Sequence, residues 1–144
     1  MAIVRERCRS CGLEIDVTVG QAVHDRELVW HKGYSCPLCG SRTEEDGRGP
    51  APDDLRCAVL HQEGRWALEL TVAGTRATIA LKLLRQALNL SLGEIGESRK
   101  RLPGVVVTGT RAEMDRLLAI LSAEGLQASV AKLPAAVASS TRKP

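Results

Sequence analysis

The 144-residue chain has no phenylalanine, and aromatic residues make up only 2% of it: Trp30, Trp66 and Tyr34. A core built from it must therefore rest on Leu, Val, Ile and Ala, and stacking platforms for nucleic-acid bases are scarce. No apolar run approaches the roughly 20 residues that a membrane-spanning helix needs. Charges in MAIVRERCRS occupy the place of a secretory apolar segment, so a soluble, cytoplasmic protein is expected. No phosphate loop, G-x-S-x-G or H-E-x-x-H is present, and no His pairs with an obvious nucleophile; a non-enzymatic protein is the expectation. The net charge of +3 is too small to indicate a nucleic-acid binder by itself. Its distribution says more: residues 1–50 hold 7 Lys and Arg against 8 Asp and Glu, whereas residues 51–144 hold 13 against 9.

Cysteine is present in a pattern. Four of the five fall in two C-x-x-C pairs, Cys8/Cys11 and Cys36/Cys39. Each pair can fold as a tight knuckle offering two thiolates, and two knuckles complete a tetrahedral site. The spacing favours a metal over disulfides in a chain without an export signal. Four thiolates close the coordination shell, which implies a structural Zn2+ in a segment of about 40 residues that is otherwise short of core. His24 and His31 lie between the knuckles and either could replace a cysteine as ligand, but four cysteines suffice, so both are read as surface residues or residues behind the ligands. Cys57 stands alone and is read as a small buried hydrophobe in a strand.

Periodicity orders the rest. Residues 3–7, 13–19 and 27–31 read as strands around the knuckles, making residues 1–40 a small β-rich zinc ribbon. Residues 41–54, SRTEEDGRGPAPDD, are almost without apolar side chains and read as a linker. Residues 55–61 and 66–72 read as a hairpin about a turn at Gly64. A helix capped by Thr75 should run to about Leu88, with Ile79, Ala80, Leu83, Leu84 and Ala87 inward. Thr78, Lys82 and Arg85 should face outward, with Leu81 at the border. Ser91 and Glu94 form a capping box for a second helix, which ends at Arg99-Lys100-Arg101. A strand at 105–108 follows, then a helix capped by Thr110 and Glu113, then a strand at 126–132 after Gly125. The order from Trp66 is β-α-α-β-α-β, an α+β sandwich. Residues 134–144 read as a disordered tail.

The knuckles CRSCG and CPLCG resemble those of rubredoxin, which holds iron in such a cage, so iron is the second metal to consider. From Trp66 to about Val130 the chain resembles the C-terminal domain of the bacterial ribosomal stalk protein, a ClpS-like fold. The resemblance rests on Lys82-Leu83-Leu84-Arg85, on LNLSLGE at 88–94 and on Ala123-Glu124-Gly125-Leu126. It covers residues within an expected domain of 55–133. It implies a recognition domain whose Thr78, Leu81, Lys82 and Arg85 meet a protein partner, and points to the translation or transcription machinery as its source. In the following helix Gly93 and Gly96 stand where the family has lysines. Arg99, Lys100 and Arg101, with Arg142 and Lys143 of the tail, raise a nucleic-acid partner as the alternative.

Overall fold

A computed structural model describes residues 1–134. The chain divides into two compact units, Met1–Gly64 and Arg65–Pro144. It is mixed α+β, with two antiparallel sheets and four helices among the described residues.

The first unit is a four-stranded meander in the order β1-β2-β3-β4: β1 (Ala2–Arg7), β2 (Glu14–His24), β3 (Glu27–Ser35) and β4 (Arg42–Arg48). Alternation in β2 buries Ile15, Val17 and Val19. The β2–β3 turn is the two residues Asp25 and Arg26, both at positive φ (50° and 64°), as a tight hairpin turn requires.

Residues 41–54 are not a linker. Seven of them form β4, paired with β3 from Val29↔Arg48 to Ser35↔Arg42. The strand carries Arg, Glu and Asp on its outward positions, so its hydrophobic signal is nearly nil. What holds it is the backbone ladder and the Trp30 ring, which lies over Gly47. A Cβ there would come within 2.6 Å of the ring.

The helix α1 (Asp53–Glu63) corrects a second expectation, the strand at 55–61. The segment leaves the hairpin with β5 unformed and packs on β1 and β2 instead. Leu55 and Val59, one helical turn apart, are buried with Ala2, Ile15, Val17, Val19 and Ala51. Asp53 and Asp54 sit in the first turn, where the helix dipole favours them, and Gly64 ends the helix at φ 89°. Gln62 then covers the outer edge of β1. Its Oε1 accepts from the Ile3 N–H at 2.9 Å, and its Nε2 donates to the Ile3 carbonyl. The side-chain amide stands in for a next strand and blunts an exposed edge.

The second unit has the expected order: β5 (Trp66–Leu70), α2 (Gly74–Leu88), α3 (Leu92–Lys100), β6 (Gly104–Gly109), α4 (Arg111–Ala123) and β7 (Ala128–Lys132). Its strands run β6-β5-β7, with β5 central. Leu68 and Leu70 meet Ala80, Leu81, Leu84, Val106, Met114, Leu117, Leu121 and Leu126 in one core. Both capping boxes form. Ser91 Oγ accepts from Glu94 N at 3.1 Å and Thr110 Oγ1 from Glu113 N at 3.1 Å, with the glutamates reaching back to the cap N–H groups. The start of α2 differs: the residue before it is Ala73, and no side chain caps it, so Thr75 is not the cap. The inward face is Ala77, Ala80, Leu81 and Leu84, and Ile79 is 45% exposed. Leu81 and Ile79 thus exchange the places that periodicity gave them. The tail expected at 134–144 lies outside the described residues after Pro134.

Each unit holds one tryptophan, Trp30 or Trp66, so the two can be followed separately in single-tryptophan variants. Leu55→Ala should cost about 2–5 kcal/mol. The loss should appear in the denaturant transition reported by Trp30 and leave that of Trp66 in place. The hairpin arrangement would put the loss on Trp66.

Candidate metal centre

Each knuckle is built at the end of a strand. Arg7 ends β1 and hands the chain to Cys8; Cys11 precedes β2. Ser35 ends β3 and hands it to Cys36; Cys39 precedes β4. The two knuckles repeat one backbone pattern 28 residues apart. Gly12 N donates to the Cys8 carbonyl at 2.9 Å and Gly40 N to the Cys36 carbonyl at 3.0 Å; Cys8 N donates to the Leu13 carbonyl and Cys36 N to that of Ser41, both at 2.8 Å. Gly12 and Gly40 adopt φ 79° and 77°, where a side chain is strained although space around them is open. This is why each C-x-x-C is followed by glycine.

The geometry converges four sulfurs. Cys8 Sγ lies 3.6 Å from Cys39 Sγ, Cys11 Sγ lies 3.6 Å from Cys36 Sγ, and all four lie within 4.8 Å of one another. Tetrahedral bonds of about 2.3 Å place sulfurs about 3.8 Å apart, so the cage fits an ion of that size. A disulfide needs about 2.05 Å, and all the cysteines are free. Among the described residues this is the group of His, Cys, Asp and Glu side chains that could hold a metal, and it contains cysteines alone. His24 is exposed beside Asp25, and the ring of His31 lies over Gly20.

Local dipoles prepare the thiolates. Backbone N–H donation, first from Cys11 and then from Ser10, lowers Cys8 to about 6 against burial. Cys36 is lowered likewise, by the N–H of Cys39 and then that of Leu38. Cys11 and Cys39 move the other way. Each receives a backbone N–H, from Leu13 and Ser41, which lowers it, but water lost around the sulfur where the cage packs, together with hydrogen bonding to neighbouring thiols, raises both, Cys11 to about 12. Without an ion the four sulfurs cannot all carry charge so close together, and a cation relieves that. Cys8 and Cys36 are buried, whereas Cys11 and Cys39 are exposed and give the site its open side.

Cys57 is not a buried strand residue: it is exposed on α1 and lies outside the cage. Of the four positions expected to meet a partner, three are exposed on α2. Thr78 Oγ1 accepts from Arg99 Nη2 at 3.4 Å, Arg85 Nε donates to the Leu90 carbonyl at 3.2 Å, and Lys82 has no polar partner among the described residues. Leu81 is 1% exposed and belongs to the core, so it cannot be a contact. The exposed apolar residues of this helix pair are Ile79 and Leu92, the latter 71% exposed. Placing the helix start at Gly74 and reading Ala77, Ala80, Leu81 and Leu84 as the i, i+3, i+4, i+7 stripe would have found Ile79. In the cationic triplet each residue is engaged: Arg99 with Thr78, Lys100 with Glu97 at 3.0 Å, and Arg101 with the Val106 carbonyl at 3.4 Å.

No family model, curated protein or solved structure matches the chain. The cage geometry therefore carries the assignment of a candidate metal centre.

Native mass spectrometry of the reduced protein should show one metal ion per chain. Cys36→Ser should lose it or bind it at least about 10-fold more weakly, since one of the four donor thiolates is gone. Cys57→Ser should retain it.

Proposed function

We infer that the chain is a non-enzymatic binding protein, a structural Zn2+ ribbon joined to a recognition domain of ClpS-like type. The reading of the first unit is supported by the donor set. Four cysteine thiolates suit Zn2+ and leave no coordination position for a substrate or an activated water. The residues that would hold the ion are Cys8, Cys11, Cys36 and Cys39; bound there, it would tie the β1–β2 hairpin to the β3–β4 hairpin.

The reading of the second unit is carried by one observation, the surface of α2 and the start of α3. α2 has three cations, Arg76, Lys82 and Arg85, and no acidic residue. Ile79 on the same helix and Leu92 at the start of α3 are exposed. Exposed apolar side chains together with positive charge that no acid on α2 opposes suit a partner segment that is itself apolar and acidic. The order β-α-α-β-α-β, the two capping boxes and the resemblance to the stalk domain support the same reading. The contact set is Thr78, Ile79, Lys82 and Arg85: Leu81, which the resemblance gives, is buried, and Ile79 on the same helix is exposed.

The test is affinity purification of the chain from its own cells. Proteins retained by the parent should be lost by more than about 10-fold from the double variant Ile79→Asp, Lys82→Glu, because both changes oppose an acidic, apolar partner. The variant's unfolding by Trp66 should stay close to the parent's, since both side chains are on the surface. Equal retention by parent and variant would reject this face as the docking surface.

A further inference from the structure

We propose that the four-thiol cage is a preformed receptor, whose knuckles are held at metal-binding separation by contacts that bypass the ion. The chain then takes up and releases its metal without unfolding. The proposal rests on the metal reading above and goes beyond a structural ion, because an ion that supplies the fold cannot leave it intact.

Two sets of contacts carry the argument. The first crosses between the hairpins at the cage itself. Arg9 and Ser10, the two residues between Cys8 and Cys11, both reach the second hairpin. Arg9 N donates to Tyr34 Oη at 3.2 Å, the Arg9 guanidinium meets Glu45 at 3.0 Å, and Ser10 Oγ lies 3.2 Å from Ser41 Oγ. Tyr34 stands on β3 two residues before Cys36, Glu45 lies on β4, and Ser41 follows the second knuckle. These contacts set the spacing of the two knuckles without using a sulfur. Tyr34 is the fixed point among them, since its ring packs against the buried cluster.

The second set holds the hairpins together beneath the cage. β2 and β3 pair from Thr18↔Gly33 to His24↔Glu27, which makes one sheet of the two hairpins. α1 then closes an apolar core of Ala2, Ile15, Val17, Val19, Leu55 and Val59. A bare ribbon of about 40 residues lacks such a core and needs its metal. This unit has the helix in addition. Surface pairs such as Arg9–Glu45, with side chains 68% and 42% exposed, add little stability. Their effect is therefore on the position of the knuckle, and Arg9 and Tyr34 are positioning residues for the metal. Cys11 and Cys39, exposed on the open side, give the ion its path in and out.

The experiment uses the full chain, reduced and stripped of metal with a chelator, then titrated with Co2+. The parent should show thiolate-to-cobalt absorption of a tetrahedral four-sulfur site. The metal-free parent should keep a cooperative transition reported by Trp30 in the Trp66→Phe background. Tyr34→Phe and Arg9→Ala should release Co2+ to a chelator about 10-fold faster or more, the range typical of outer contacts to metal ligands, with the metal-free transition unmoved. Should Tyr34→Phe shift that transition, Arg9→Ala, on the surface, decides alone. Loss of the Trp30 transition on metal removal overturns the proposal, as does release at the parent's rate from Arg9→Ala. Failure of the parent to form the four-sulfur absorption rejects the metal reading itself.

Discussion

The packing of α1 across β1 and β2 is the interaction on which the first unit depends. It covers the one face of the meander that carries Ile15, Val17 and Val19, and it brings Leu55, Val59 and Ala51 to them. Burial of each such side chain contributes about 1.5–3 kcal/mol before the entropy of ordering is counted. The same helix ends by placing Gln62 on the backbone of Ile3 and Glu63 against the amino group of Met1. β1 is thereby fixed from its face and its edge. Cys8 follows β1 directly, so the first knuckle inherits its position from this packing.

The two knuckles place four sulfurs where one small cation satisfies all of them. Backbone N–H groups favour charge on Cys8 and Cys36, and lost water together with the neighbouring thiols disfavours it on Cys11 and Cys39. An ion in the cage removes the conflict, which is the electrostatic reason to read it as a metal site. The second unit uses the chain differently. Its apolar residues close a core on β5, and α2 carries three cations, Arg76, Lys82 and Arg85, with no acid on the helix.

Residue types with strong local rules were legible in the sequence. The C-x-x-C-G repeats, the two capping boxes and the positions of β5, β6, α4 and β7 follow from such rules. The misreadings occurred where local rules compete or fall silent. Leu55, Cys57 and Val59 alternate as a strand would, yet Leu55 and Val59 are also one helical turn apart. Pro52-Asp53-Asp54 was the signal that favours the helix. β4 has no hydrophobic pattern because its ladder to β3 and the Trp30 ring over Gly47 hold it, and neither is local. Leu81 and Ile79 exchanged roles because the helix begins without a side-chain cap, which left its phase open. The open side of the cage and the contacts of Arg9 and Tyr34 needed the tertiary structure, since they join residues 25 and 36 positions apart.

The central claim is that Cys8, Cys11, Cys36 and Cys39 hold one ion with sulfur alone. X-ray absorption of the protein purified without added metal tests it most directly, because the edge names the element and the fine structure counts its neighbours. The account predicts a zinc edge and four sulfur scatterers at about 2.3 Å. A shell containing nitrogen or oxygen would contradict it, as would protein carrying no metal and two disulfides in its place.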